Sequence, residues 1–181
     1  RLVADVEDPR SLRFYNIQGG SYSNVIQLEL NVEVLPRLDV RLAWRSQDVR
    51  STFDSVLKQM PLTPSHAGLI NVGWKNKTER WLADVTFAYT GSQRLPSTSD
   101  NPTGYQAGER APAYPRLNAQ VTRKFGKTFE LYLGGENLTN YRQENPVIGS
   151  HDPFGPYFDA SIAWGPLMGA MGYIGLRFDI Q

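Results

Sequence analysis

The sequence predicts an all-β chain that crosses a membrane as part of an antiparallel barrel. Three observations carry that expectation: apolar and polar residues alternate with period two in run after run, several runs reach the roughly 9 to 11 residues with which a tilted strand spans a bilayer, and short turns alternate with long links.

The clearest runs lie between Asn24 and Arg45. Ile26, Leu28, Leu30, Val32 and Val34 fall on one side, and Gln27, Glu29, Asn31 and Glu33 on the other. After Leu35-Pro36, Leu38, Val40, Leu42 and Trp44 alternate with Arg37, Asp39, Arg41 and Arg45. The pair predicts one long hairpin. A three-residue turn at 34–36 would set Glu33 against Arg37, Glu29 against Arg41, Ile26 against Trp44 and Leu30 against Val40, giving one charged and one apolar face. A soluble sheet with this pattern buries its apolar face against a second layer, so a β-sandwich module binding glycans or another ligand is the alternative.

The remaining elements follow the same rule. Leu2, Ala4 and Val6 alternate before the turn signal Asp8-Pro9, and Leu12 and Phe14 alternate after it. Phe53, Val56, Leu57 and Met60 stand at helical spacing between Ser51 and Pro61, which predicts a short loop helix. Strands are expected at Gly68 to Trp74, Arg80 to Thr90, Leu117 to Thr122, Thr128 to Glu136 and Tyr173 to Ile180, with a long loop at Gly91 to Pro112 and irregular chain at Leu138 to Pro166. Short turns at Asp8, Pro36, Asn76 and Gly126 then alternate with longer links, as in barrels with short periplasmic turns and longer extracellular loops. Trp44, Trp74, Trp81 and Tyr89 sit near strand ends, where an interfacial aromatic girdle belongs.

Composition is compatible with this and narrows the function. The 181 residues are 40% hydrophobic and 20% charged, with a net charge of +1 and no cysteine. Disulfides and zinc-thiolate sites are excluded, and no basic stripe argues for nucleic acid. A mean hydropathy of −0.42 is unlike a helical membrane protein, whereas in a barrel the polar lumen face offsets the lipid face. Ala160 to Leu176 is nearly apolar but broken by Gly165, Pro166, Gly169, Gly172 and Gly175, so it predicts no membrane helix. The chain begins inside a strand pattern without methionine and is expected to be part of a longer protein.

Four stretches carry a family resemblance. Glu136-Asn137-Leu138-Thr139-Asn140 after a strand, the Asn24 to Leu35 strand ending at a proline, Pro146 to Trp164, and the closing run Gly172 to Ile180 together resemble the C-terminal barrel portion of a TonB-dependent outer-membrane receptor. The resemblance implies a 22-stranded barrel around an N-terminal plug, with about the last nine strands supplied here and the plug and energy-coupling box lying outside the chain. It implies active import of a scarce ligand, such as a siderophore, haem, cobalamin or chelated metal, in the bacterial outer membrane. The implied partners are outer-membrane lipid, the rest of the receptor, a TonB-type energy-coupling protein and a small-molecule ligand. Gly175, Phe178 and Ile180 match a barrel-assembly signal in part, although the chain ends in Gln181 and not in an aromatic residue.

Tyr105, Tyr114, His151, Phe154 and Tyr157, in the two longest links, are the candidate ligand contacts, because aromatic and polar side chains on loops above a rigid barrel suit capture of a bulky ligand. No nucleophile, base and orienter come together, so no enzyme is expected, and a barrel hydrolase ranks behind the sandwich module. His66 and His151 are isolated, and Met168 and Met171 among glycines suggest rim packing, so neither a metal site nor a cofactor is expected. Glu29 and Glu33 beside Arg37 and Arg41 suggest a lumen charge ladder and not acid-base chemistry.

Overall fold

The computed structural model describes residues 2–5, 13–16, 19–53 and 55–179. Its strands are β1 (Leu2–Asp5), β2 (Arg13–Asn16), β3 (Tyr22–Leu35), β4 (Leu38–Phe53), β5 (Val56–Gln59), β6 (His66–Lys75), β7 (Trp81–Thr90), β8 (Gln93–Arg94), β9 (Arg110–Ala111), β10 (Tyr114–Phe125), β11 (Phe129–Glu136) and β12 (Met171–Phe178). A 3-10 turn at Thr103–Tyr105 is the only helical segment among the described residues. All nine expected strands are present, and β5, β8 and β9 are short additions inside connections. The Asp8-Pro9 turn and Ile180 lie outside the described residues.

Seven strands form one antiparallel sheet in the order β3-β4-β6-β7-β10-β11-β12, and β1 pairs with β2. This is a meander, each long strand bonded to the long strand before it. No second layer covers it among the described residues, since the buried apolar cluster of Leu95, Ala111 and Ile162 sits in the connections. The sandwich alternative therefore does not form.

The register makes the apolar face continuous from strand to strand. Leu30 pairs with Leu42, Leu42 with Ile70, Ile70 with Phe87 and Phe87 with Leu117; further along, Val121 pairs with Leu133 and Leu133 with Ile174. Because side chains alternate strictly, this alignment puts Asn31, Arg41, Asn71, Thr86 and Asn118 together on the opposite face. An apolar face left open on strands of eight to sixteen residues is stable only against lipid. The sheet is part of a transmembrane barrel.

Aromatic residues mark both rims of the apolar band. Trp44 and Tyr89 stand level across Gly68 at one end, with His66 stacked on Trp44 at 5.9 Å. Trp74, Trp81 and the Phe125, Phe129 and Phe178 row stand at the other, beside the short turns. From Trp81 to Tyr89 the strand runs about 27 Å, which at a tilt of about 35 to 45° covers roughly 19 to 22 Å of a hydrophobic band about 25 Å tall.

Two expectations are corrected. The β3–β4 turn has two residues, Pro36 and Arg37, between paired Leu35 and Leu38, and the register shifts between Glu33 and Leu35. Pro36 fixes the first turn position and Arg37 takes φ 70°, the left-handed conformation such a turn demands at the second. Pairs therefore differ by two residues from those expected: Glu29 lies opposite Ala43, and its 2.9 Å ion pair with Arg41 is diagonal. A shift of two preserves both faces. Secondly, residues 56–59 are not helical. β5 folds back on β4, pairing Phe53 with Val56 and Arg50 with Gln59, with Ser55 at φ 64° in the turn. Here spacing of three and four placed apolar residues across a tight hairpin as readily as along a helix.

The polar face carries its own network. Glu130 takes Lys124 at 3.4 Å and Arg177 at 2.9 Å, while Asn71 donates to Asp84 at 2.9 Å and to Thr86 at 2.8 Å. On β11 and β12 two tyrosines each cover a glycine: Tyr132 lies over Gly175, its ladder partner, and Tyr173 over Gly134. Tyr173 Oη reaches on to Gln120 Oε1 at 2.9 Å.

Candidate ligand-contact site in the loop cluster

The three longer connections of the sheet, 54–65, 91–113 and 137–170, all leave from the end opposite the short turns. They hold one another. β8 and β9 turn the 91–113 connection into a small hairpin, where the sequence predicted only loop, and its Leu95 and Ala111 pack with Ile162 from the third connection. In that third connection Ile148 and Asp159 form one isolated bridge.

Polar side chains fix the rest. Asn137, at φ 49°, donates from Nδ2 to the carbonyls of Tyr141 and Met168 at 2.8 and 2.9 Å, so the chain leaving β11 is tied to the chain entering β12. Asn140 Oδ1 accepts from Ala170 N at 3.0 Å. Buried Gln143 donates to Ile162 O at 2.9 Å and accepts from Trp164 N and Gly165 N at 2.8 and 3.1 Å. Asn137 stands in the stretch that carries the family resemblance, yet Gln143 has no flanking pattern that would single it out. Gln143→Ala is expected to lose all three bonds and about 2 to 3 kcal/mol of local loop stability, because buried amides are left without partners. Hydrogen exchange at the Trp164 and Gly165 amides should accelerate accordingly, while exchange in β6 and β7 stays unchanged.

The five candidate contacts separate into three groups. Tyr105, His151 and Tyr157 come together: the Tyr105 hydroxyl and His151 Nε2 are 3.1 Å apart, and the Tyr105 ring lies 5.5 Å from His151 and 5.1 Å from Tyr157. Tyr114 is buried, stacked on Tyr141 at 5.2 Å with its hydroxyl donating to Trp164 O at 3.4 Å. Burial, with Glu144 and Tyr114 adding to it, pushes the Tyr141 phenol above its ordinary value, which keeps that ring neutral at physiological pH. Phe154 is fully exposed at a loop tip and touches neither group.

The Tyr105–His151 pair edges a hollow of about 490 Å³ whose wall includes Gln143, Ile148, Ile162 and Trp164. Beside it a second hollow of about 540 Å³ is lined by Lys58, Arg94 and Arg110, by one carboxylate, Glu109, and by the hydroxyls of Ser97, Thr98 and Ser99. Arg110 bonds Gln59 Oε1 at 3.1 Å and Ser92 Oγ at 3.2 Å, which anchors the cation on the β5 hairpin. Together these walls offer aromatic faces, neutral hydrogen-bonding groups and positive charge on an ordered cap. Among the described residues no group of three or more His, Asp or Glu side chains is placed to hold a metal ion.

A membrane-spanning meander with short turns at one end and an interlocked loop cap at the other has the architecture of part of an outer-membrane β-barrel. A family model described as "TonB dependent receptor-like, beta-barrel" matches residues 2–138, and the chain belongs to that family of outer-membrane transport receptors. No curated protein matches the sequence. Among solved structures the chain is similar to the ferric-catecholate import receptor Fiu from Escherichia coli K12 in its closed form, with a TM-score of 0.60 and 12% identity over 84% of this chain and 20% of that one. It is similar also to the unliganded ferric citrate transporter FecA, with a TM-score of 0.58 and 16% identity over 87% of this chain and 24% of that one. The chain thus spans about a fifth to a quarter of the length of these structures, and at such identities the likeness speaks for the fold.

Proposed function

We propose that the chain forms part of the barrel of a bacterial outer-membrane receptor that imports a scarce ligand by TonB-dependent energy coupling, with the loop cluster outside the cell and in contact with the ligand. The observation that carries this reading is the polarity of the sheet: the short β3–β4, β6–β7 and β10–β11 turns lie at one end, and an interlocked cap with hollows of aromatic and charged lining lies at the other. The ligand class is a bulky chelate, such as a siderophore, haem, cobalamin or another chelated metal, because the hollows combine apolar walls with a few converging polar groups. In the intact receptor the open edges of β3 and β12 are paired by further strands of the same barrel, since unpaired backbone groups facing lipid each cost several kcal/mol. The plug and energy-coupling segment belong to that larger protein.

The test uses the intact receptor. Binding to a panel of ferric siderophores, haem and cobalamin is measured by quenching of intrinsic fluorescence, and uptake is followed in cells with and without the energy-coupling protein. Tyr105→Ala combined with His151→Ala is expected to weaken binding about tenfold or more without unfolding the cap, as removal of two contacts of about 1 kcal/mol each would do. Uptake that continues without the coupling protein would exclude the import mechanism. Protease shaving of whole cells that cuts the Pro36 and Gly126 turns but spares the loop cluster would reverse the orientation.

A further inference from the structure

On the apolar face between the Trp44–Tyr89 level and the short turns, one charged side chain stands alone among the described residues. It is Arg123, whose ladder partners are Trp81 on one side and Leu131 on the other. Its guanidinium carbon lies 4.6 Å from the Trp81 ring centre and 5.0 Å from that of Phe125. No carboxylate pairs with it and no acceptor takes its hydrogen bonds among the described residues. An unpartnered cation toward lipid is tolerated only near the interface, which is where Trp81 and Phe125 put it.

The geometry points to a bound headgroup: we propose that Arg123, held between Trp81 and Phe125, binds the phosphate of an anionic phospholipid at the turn end of the barrel. The two ring contacts hold the guanidinium at the rim, and its N–H donors, taken by no acceptor among the described residues, form the planar fork that receives two phosphate oxygens at once. The neighbouring turns add Lys77, Arg80 and Lys127, all exposed, against Glu79, which is paired with Lys75 at 3.4 Å, and exposed Asp179, whose amide bonds Thr128 O. That surplus of positive charge favours a net negative headgroup over a zwitterionic one. Val121, Ala83 and Leu133 continue the surface toward the bilayer centre and give the acyl chains an apolar path. The assignment needs the barrel and not the import activity.

The intact receptor, stripped of lipid in detergent, is titrated with short-chain phosphatidylglycerol or phosphatidylcholine, and bound lipids are counted by native mass spectrometry. One phosphatidylglycerol is expected to be retained in preference. Arg123→Gln should weaken it roughly fivefold to tenfold, the scale of one basic residue at a membrane surface. Arg123→Lys should fall between, since an ammonium keeps the charge and loses the fork, and Trp81→Leu should weaken binding with the charge intact. Arg116→Gln, on the polar face of the same strand opposite Ala88, serves as the control and should leave binding unchanged. Equal binding by wild type and Arg123→Gln would overturn the proposal, as would equal retention of phosphatidylcholine. Displacement of the lipid by an equal concentration of inorganic phosphate would also overturn it, in favour of a site for free anions. Heat-modifiable migration on gels confirms that each variant is a folded barrel, and Arg123→Lys alone decides the question if the glutamine variant does not fold.

Discussion

Leu30→Arg and Val85→Arg are expected to lower the stability of the folded barrel by about 2 to 4 kcal/mol, the depth-dependent cost of an arginine near the bilayer midplane. Val85 lies midway between Trp81 and Tyr89, and its partners Val72 and Ala119 are apolar, so nothing nearby can neutralise the charge. Asn31→Arg, one residue from Leu30 but on the other face, should cost about 1 kcal/mol or less, because that face is already lined by Arg41 and Asn71. Denaturant titration of the intact receptor in lipid vesicles, followed by tryptophan fluorescence, separates the two cases. A larger loss for Asn31→Arg than for Leu30→Arg would mean that the lipid and lumen faces have been exchanged.

Gly175→Ala and Gly134→Ala should each cost about 1 to 3 kcal/mol, the usual range for overpacking a tight site. A Cβ at Gly175 would fall inside the Tyr132 ring, and one at Gly134 inside the Tyr173 ring, so in each case the tyrosine must swing away from its glycine. Displacing Tyr173 also sacrifices its bond to Gln120, which makes Gly134→Ala the more damaging of the two. Tyr132→Ala should relieve part of the Gly175→Ala penalty, with a coupling energy of about 0.5 to 3 kcal/mol in a double-mutant cycle. Strictly additive effects would show that ring and glycine do not interact. Spontaneous folding into vesicles, with no assembly machinery present, isolates this packing role from any part that Gly175 and Phe178 play as an assembly signal.

The sheet was legible because lipid imposes a strict rule on it. Each residue of Ile26 to Val34 or Trp81 to Tyr89 faces either hydrocarbon or the polar interior, so period two survives over a whole strand and reports the face directly. Exact pairing was not legible, since it depends on whether the Pro36 turn holds two residues or three, and both leave the alternation intact. Above the membrane the rule lapses. Phe53, Val56, Leu57 and Met60 satisfy a helical spacing because a hairpin two residues wide brings the same positions together, and only the left-handed conformation at Ser55 separates the two. In the loops the candidates were chosen by residue type, which says nothing about burial. Tyr105, His151 and Tyr157 converge and Tyr114 is packed away because Gln143, Asn137 and the Leu95–Ile162 contact shape the cap through long-range bonds that no local pattern announces.

The unequal connections also set an order of assembly. β3 with β4, β6 with β7, and β10 with β11 are joined by turns of a few residues, so each can zip as a local hairpin. β12 is reached only across residues 137–170, whose closure costs about 2 kcal/mol more in chain entropy than a three-residue turn. That deficit is offset by the eight-pair ladder between β11 and β12 and by the bonds of Asn137 and Asn140 to the chain entering β12. The β10–β7 and β11–β12 seams, each closed across a long link, are therefore expected to form after the three local hairpins.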